Sequence, residues 1–263
     1  MSFGDRLKST LTKGFPGRTS RDVSPMEDGN SRLTQENLIL REANLQLLET
    51  LGAVVDSLYS HTAYHSDQVA VYAWQLARKL GLSEEEQELI FKAGLVHDVG
   101  MITMGSAICD TQYYLTQGEY DKLYAHPTIG GEIIGRITHM RPVAQLVHHH
   151  HERFDGGGYP DRLKGEQIPL GARILNLADS VAMMLTDQPW RPGRSLPEVI
   201  VEVKSCSGGQ FDPRVVNAFL ALAHETGDDL FSSPRKFADD DMLLSTVGIR
   251  SGRATKTFKA PLR

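Results

Sequence analysis

Residues 65–100 read HSDQVAVYAWQLARKLGLSEEEQELIFKAGLVHDVG. Apolar positions in the first half recur at three- and four-residue steps through Val69, Tyr72, Leu76 and Leu80, the period of one helical face. Gly81 is the residue type that closes such a helix. Ser83 with Glu86 then has the spacing of a capping box opening the next one. The same signature recurs at Thr116 with Glu119 and at Ser195 with Glu198. Asp212-Pro213 places an N-cap and a first-turn proline ahead of VVNAFLALA. No stretch alternates with period two over a strand's length. The fold expected is all-α.

The whole chain has 263 residues, with 40% hydrophobic and 23% charged residues and a formal charge of −5. This is the composition of an ordinary globular protein, which excludes wholesale disorder and collagen-like structure. A mildly acidic balance argues against general binding to nucleic acid polymers or anionic lipid and leaves a small anionic ligand open. No apolar run reaches the roughly 18 residues of a membrane span, and the first twenty residues lack the apolar stretch of a secretory signal. Two cysteines, Cys109 and Cys206, cannot build a disulfide framework and fit a reducing compartment. A cytoplasmic protein is expected.

Residues 1–31, rich in Gly, Ser, Pro and mixed charge, read as a flexible arm. Residues 225–263, with an acidic knot at Asp239–Asp241 and a basic end, read as a solvated tail. Residues 32–59 form a lead-in helix. Leu33, Leu40, Leu47 and Val54 repeat every seven residues, and Asn37, Asn44, Leu51 and Leu58 repeat beside them. Together they make the seam of a coiled coil with two polar positions, which favours a parallel homodimer through residues 33–58; the alternative is that the stripe packs on its own domain. The folded domain is expected over residues 60–224.

Histidine carries the chemistry. There are ten, and most lie in short blocks with acidic neighbours: HTAYHS (61–66), HDVG (97–100), AHPTIG (125–130) and VHHHHERFDGGGYP (147–160). One buried histidine is usually a satisfied core residue. Several His and Asp on separate helices of one small domain are better explained by a shared site, and imidazole with carboxylate suits Fe, Mn, Zn or Ni. Neighbours on a helix point about 100° apart, so His97 and Asp98 reach one centre only at that helix's surface. Asp98 is suited to bridge two ions. Asp179, in ARILNLADS, offers another helical carboxylate. His61 shares a face with His65 at i, i+4 and is either an extra ligand or a solvated residue. His148 and His149 read as structural or exposed. There is no nucleophile elbow, P-loop or dinucleotide fingerprint.

The order of these blocks resembles the HD-GYP subgroup of the HD-domain phosphohydrolases. The matching residues are His65-Ser66, His97-Asp98, His126-Pro127, His150-His151-Glu152, Asp155 to Pro160 (DGGGYP), Ala172-Arg173-Ile174 and Ala178-Asp179. The resemblance covers residues 60–220 and implies an all-helical HD domain with two or three metals, often iron or manganese. It implies hydrolysis of cyclic di-GMP to pGpG or GMP, with His97 and Asp98 carrying catalysis through the ions. By the same resemblance His65, His97 and Asp179 hold one metal, Asp98 bridges, and His126 and His150 complete the second site. His151 joins the second site or a third. Three-metal relatives have a glutamate where this chain has His61, so two divalent ions are expected. Gly158 and Tyr159 would form the lip of the substrate mouth.

Three positions depart from that pattern. Met101 stands where a lysine follows HDxG, and Ala182 where a second aspartate follows Asp179. Gln188 replaces an arginine expected on the substrate phosphate, while Arg191 keeps a cation close by. Losing a positioned cation from a phosphoryl-transfer site costs on the order of 100-fold in rate. Two other readings therefore stand beside the phosphodiesterase: a weakened or inactive signalling module that keeps metal and binds a partner, and an HD-type metal enzyme acting on another substrate.

Overall fold

The computed structural model describes residues 25–58, 64–104, 116–188 and 190–232. Among these the regular structure is helical: α1 (Pro25–Asp56), α2 (His65–Lys79), α3 (Glu84–Val96), α4 (Gln117–Gly135), α5 (Arg141–His149), α6 (Leu170–Leu185), α7 (Leu196–Ser205), α8 (Pro213–Thr226) and α9 (Asp228–Ser232). Short 3-10 turns sit at Val99–Thr103, Thr138–Met140 and Gly165–Gln167. The all-α expectation holds.

The expected punctuation forms in detail. Ser83 Oγ accepts from the Glu86 backbone N–H at 3.3 Å while the Glu86 carboxylate accepts from Ser83 N–H at 2.8 Å. Thr116 with Glu119 and Ser195 with Glu198 close the same reciprocal boxes. At the end of α2, Gly81 takes φ +73°. Its N–H donates to the Arg78 carbonyl and the Leu82 N–H to that of Ala77, the paired bonds of a Schellman stop.

α6 is the buried centre, with Ile174, Leu175, Leu177 and Ala178 fully inaccessible. α2 packs against α3, α6 and α8, and α4 against α5 and the 99–103 turn. Trp74, Leu76, Leu95 and Phe219 fill the space between these helices. Two glycines set how closely the helices approach. A Cβ on Gly94 would lie 2.5 Å from Ala70 Cα, and one on Gly100 would lie 2.0 Å from the His126 carbonyl oxygen. The second contact presses the HDVG turn onto α4, and so brings Asp98 to His126.

Two boundaries differ from the sequence reading. The helix expected from residue 32 begins at Pro25, inside the expected arm. Proline at the first helical position followed by Glu27 and Asp28 is a start signal, hidden there among Gly and Ser. The tail expected from 225 is helical to Thr226 and again over Asp228–Ser232. Leu230 and Phe231 are buried, and the Phe231 carbonyl accepts from Tyr72 Oη at 3.0 Å. The remaining arm, residues 1–24, and the remaining tail, residues 233–263, lie outside the described residues.

The chain divides into two units, residues up to Ile39 and residues from Leu40 onward. The first contributes the N-terminal half of α1, whose described side chains are all exposed. In the second, Leu45, Leu48 and Val55 of α1 enter the core while Leu40, Leu47 and Val54 stay 60%, 67% and 47% exposed. No helix among the described residues is long and apolar enough to cross a membrane.

Replacing Gly94 by Ala tests the close packing of α2 on α3. Alanine favours a helix interior by about 1 kcal/mol, but overpacking against backbone costs about 1–3 kcal/mol or more. The expected outcome is a lower midpoint in chemical denaturation; an unchanged or raised midpoint would reject that contact.

Candidate metal centre

α3 ends at Val96, and the chain tightens at once: His97 caps the helix and Asp98 sits at φ −94°, ψ 10° before the 3-10 turn. The two are therefore not consecutive positions along a continuing helix, as the sequence reading had them. The tightening at the helix end brings both onto the same cluster, with Asp98 at its middle. Asp98 Oδ2 lies 3.3 Å from His97 Nε2 and 4.0 Å from His65 Nε2. Asp98 Oδ1 lies 3.3 Å from His126 Nε2 and 3.9 Å from His150 Nε2. His65 Nε2 is also 3.3 Å from Asp179 Oδ1 on α6. Two sets of metal-type donors result, His65/His97/Asp98 and Asp98/His126/His150/His151, with Asp98 common to both.

Three of these imidazoles are aimed in one way. Each ring nitrogen Nδ1 lies against the carbonyl three residues back: His97 on Gly94 at 2.9 Å, His126 on Leu123 at 2.5 Å, His150 on Val147 at 2.6 Å. The carbonyls of Gly94 and Val147 belong to the last turns of α3 and α5, where helices leave acceptors without intrahelical donors. That of Leu123 lies mid-helix, but its usual donor would be the N–H of residue 127, and Pro127 has none. The proline of the His126-Pro127 pair thus frees the acceptor that orients the histidine. In each case Nδ1 carries the proton and Nε2 faces the cluster, the arrangement typical of metal-bound histidine.

A further layer holds the backbone. Asn176, one turn before Asp179 on α6, donates to the His150 carbonyl at 2.9 Å. Asp56, at the end of α1, accepts from Ser66 N–H at 3.1 Å and Ser66 Oγ at 2.8 Å, which fixes the first turn of α2 beside His65. Burial raises the Asp56 pKa, against the two Ser66 bonds. Buried Glu152 accepts from the N–H groups of Asp161 at 2.7 Å and Leu163 at 3.1 Å, tying the 155–163 loop to the end of α5. Sequence reasoning missed the roles of Asp56 and Asn176. The i, i+3 spacing of Asn176 and Asp179 was the available signal for one; Asp56 had none.

Electrostatics divides the cluster. Burial pushes the His97 imidazolium down, but the adjacent Asp98 charge overrides it and lifts the pKa to about 10. Burial opposes ionisation of Asp98, yet His97 and His126 hold its carboxyl well below the usual range. Burial and the neighbouring histidines keep His150 well below its ordinary value and His151 at about 4. Both are neutral imidazoles at neutral pH, the form that binds metal.

The donor set fits divalent cations. His97 Nε2 is buried and, although 3.3 Å from Asp98, lacks the alignment of a hydrogen bond. His126 Nε2 and His150 Nε2 face each other at 3.4 Å. A buried polar atom left unsatisfied costs roughly 1–3 kcal/mol, and a cation on each side of Asp98 would satisfy these atoms together.

The other expected site residues divide. The Tyr159 ring lies tilted at 5.0 Å from His151 and edge-to-face at 4.7 Å from Tyr124, and Tyr124 stacks on Tyr120 at 6.2 Å, an aromatic row beginning at His151. Gly158 is buried against the backbone of His151, Glu152 and Arg153. A Cβ there would lie 2.3 Å from Arg153 N and 2.6 Å from the His151 carbonyl oxygen, so the position requires glycine for close packing. Arg191 and Gln188, expected at the substrate phosphate, point elsewhere. The Arg191 guanidinium donates to the carbonyls of Met183, Met184 and Pro192, capping the exposed end of α6. Gln188 is buried, with Nε2 3.5 Å from the Thr186 carbonyl. His61 lies outside the described residues.

A model of the HD domain matches residues 49–215. The chain belongs to the HD-domain family. Among curated relatives, it is 30% identical over 201 residues to 3'3'-cGAMP-specific phosphodiesterase 3 of Vibrio cholerae, covering 76% of this chain and 44% of that protein. It is 33% identical over 185 residues to the cyclic di-GMP phosphodiesterase of Thermotoga maritima, covering 70% and 50%. The chain thus spans about half the length of the curated relatives it matches. The crystal structure of a cyclic GMP-AMP specific phosphodiesterase from V. cholerae superposes with a TM-score of 0.56 at 20% identity, covering 79% of this chain and 54% of that one, which establishes the shared helical fold.

Asp98→Ala removes the one donor common to both sets. Elemental analysis is expected to show that it lowers both metal equivalents together, whereas His126→Ala lowers mainly one. Unchanged metal content in Asp98→Ala would contradict the shared role.

Proposed function

We propose that this HD domain is a metal-dependent phosphodiesterase that hydrolyses cyclic di-GMP to pGpG or GMP, with two iron or manganese ions as cofactors. One observation carries the reading: the two oxygens of Asp98 each face a different histidine set. In it His65, His97 and Asp179 hold one ion, His126, His150 and His151 the other, and Asp98 both. Bound divalent ions supply Lewis acidity toward a phosphate ester and lower the pKa of water.

The chain's own residues supply position. The Nδ1 bonds keep each Nε2 on the cluster, Glu152 holds the loop, and Tyr159 walls the mouth beside His151. The names of the relatives support a cyclic dinucleotide and divide between cyclic di-GMP and 3'3'-cGAMP, so the second nucleotide is the specific alternative substrate. Met101 and Ala182, replacing a charged pair, are both buried in the apolar core. An apolar pair there leaves no buried charge unmatched, but it removes a cation near the phosphate and favours a slow enzyme. A catalytically silent metal-binding module is the limit of that trend.

We place a homodimer contact on α1, where Leu33, Leu40, Leu47 and Val54, one row of the expected seam, are exposed, while Leu51 and Leu58 of the other row pack against the chain's own core. A cytoplasmic location agrees with the intracellular nature of the nucleotide.

The direct test is anaerobic incubation of Fe(II)- or Mn(II)-loaded protein with each nucleotide, followed by chromatography. Conversion of cyclic di-GMP, abolished in Asp98→Ala, is the expected result. Conversion of 3'3'-cGAMP alone would reassign the substrate, and no conversion by metal-loaded protein would reject the enzyme. For the dimer, Leu40→Glu with Leu47→Glu should yield monomers by light scattering; a persistent dimer would reject the seam.

A further inference from the structure

Outside the Asp98 cluster, one more group of metal-type donors converges among the described residues, and it shares no member with the other two: His148, His149 and Asp161. Asp161 Oδ2 lies 3.1 Å from His148 Nε2 and 3.7 Å from His149 Nδ1. The two imidazoles come from consecutive residues at the end of α5, with ring centroids 4.6 Å apart and planes at 88°. The carboxylate comes from the far side of the DGGGYP loop.

A plain ion pair accounts for only part of this. His148 Nε2 is within hydrogen-bond reach of Asp161, and that bond alone would satisfy both groups. It leaves His149 Nδ1 unexplained. That nitrogen is buried and has no hydrogen-bond partner, although it faces the same carboxylate oxygen from too far away to bond. Separations of 3.1 and 3.7 Å are those of atoms that share a common ligand, since two donors about 2.0–2.2 Å from a tetrahedral ion stand roughly 3.5 Å apart.

The group is also held in place. Glu152 fixes the Asp161 backbone through the bond to its N–H. His148 lies tight on α4 at Gly131, where a Cβ would come within 3.0 Å of its own Cβ. Asp161 and the outer edge of His148 remain open to solvent, which leaves a way in for an ion and room for water to complete its coordination.

We propose that His148, His149 and Asp161 form a second, peripheral site for a divalent transition metal ion of the imidazole-preferring kind, Zn²⁺ above all, distinct from the centre at Asp98. Two imidazoles and one carboxylate exclude Ca²⁺ and Mg²⁺, which take oxygen ligands. The ion would clamp the loop that bears Tyr159 to the helix end that bears His150 and His151.

The test uses the full chain, stripped with chelator and titrated with Zn²⁺ alone by calorimetry, with metal counted after gel filtration. Wild type is expected to bind one equivalent more than His148→Ala. The missing equivalent should belong to the weaker class, with the tighter class unchanged. Asp161→Asn, whose backbone bond to Glu152 survives, should weaken the same class about tenfold or more. Equal stoichiometry and affinity in wild type and both variants would overturn the site, as would loss of the tighter class alone. The readout is metal content, so it stands apart from whether the Asp98 centre turns over any nucleotide.

Discussion

The structure depends on one carboxylate held between two rows of imidazoles. Asp98 is surrounded by His65, His97, His126 and His150 from four separate chain segments. Such a group is intolerable in a hydrocarbon core without compensation, since burying an unpaired charge costs several kcal/mol. Its protonation directions show how tightly the cluster is balanced. Two neutral histidines, a histidine lifted by its neighbour and two ionised carboxylates crowd one cluster, in which His97 and His150 are buried while Asp98 and Asp179 stay partly open to solvent. Divalent cations are the simplest species that satisfy all of them at once.

The rest of the fold delivers those groups to one point. A turn at the end of α3, a proline inside α4 and the end of α5 each leave a carbonyl free, and each carbonyl holds one imidazole. Glycines at 94 and 100 let the carrying elements approach within backbone contact. α6 then brings Asp179 to His65 and Asn176 to the His150 backbone. Secondary structure here positions chemistry mainly through its imperfections, where regular hydrogen bonding stops.

Local signals made much of this legible. Capping boxes, the Gly81 stop and the histidine blocks depend on residues within one or two turns, and they formed where their chemistry requires. What could not be read depends on long-range partners. Arg191 keeps its charge in the motif's register, yet its guanidinium goes to carbonyls at the end of α6, partners that no local pattern announces. Gly158 serves backbone packing, a fact visible only once the loop folds over His151. The N-terminal limit of α1 and the docking of Phe231 against Tyr72 were masked by composition, which averages over the few residues that decide them, Pro25 with its acidic neighbours in one case and Leu230 with Phe231 in the other.

Whether Asp98 joins two metal ions, as proposed, is directly measurable. Crystals of the Mn(II)-loaded protein, measured at a wavelength where manganese scatters anomalously, address it directly. The expected result is two anomalous peaks flanking Asp98, one beside His65 and His97 and one beside His126 and His150, with a different carboxylate oxygen on each. A single peak, or two peaks of which Asp98 touches only one, would contradict it.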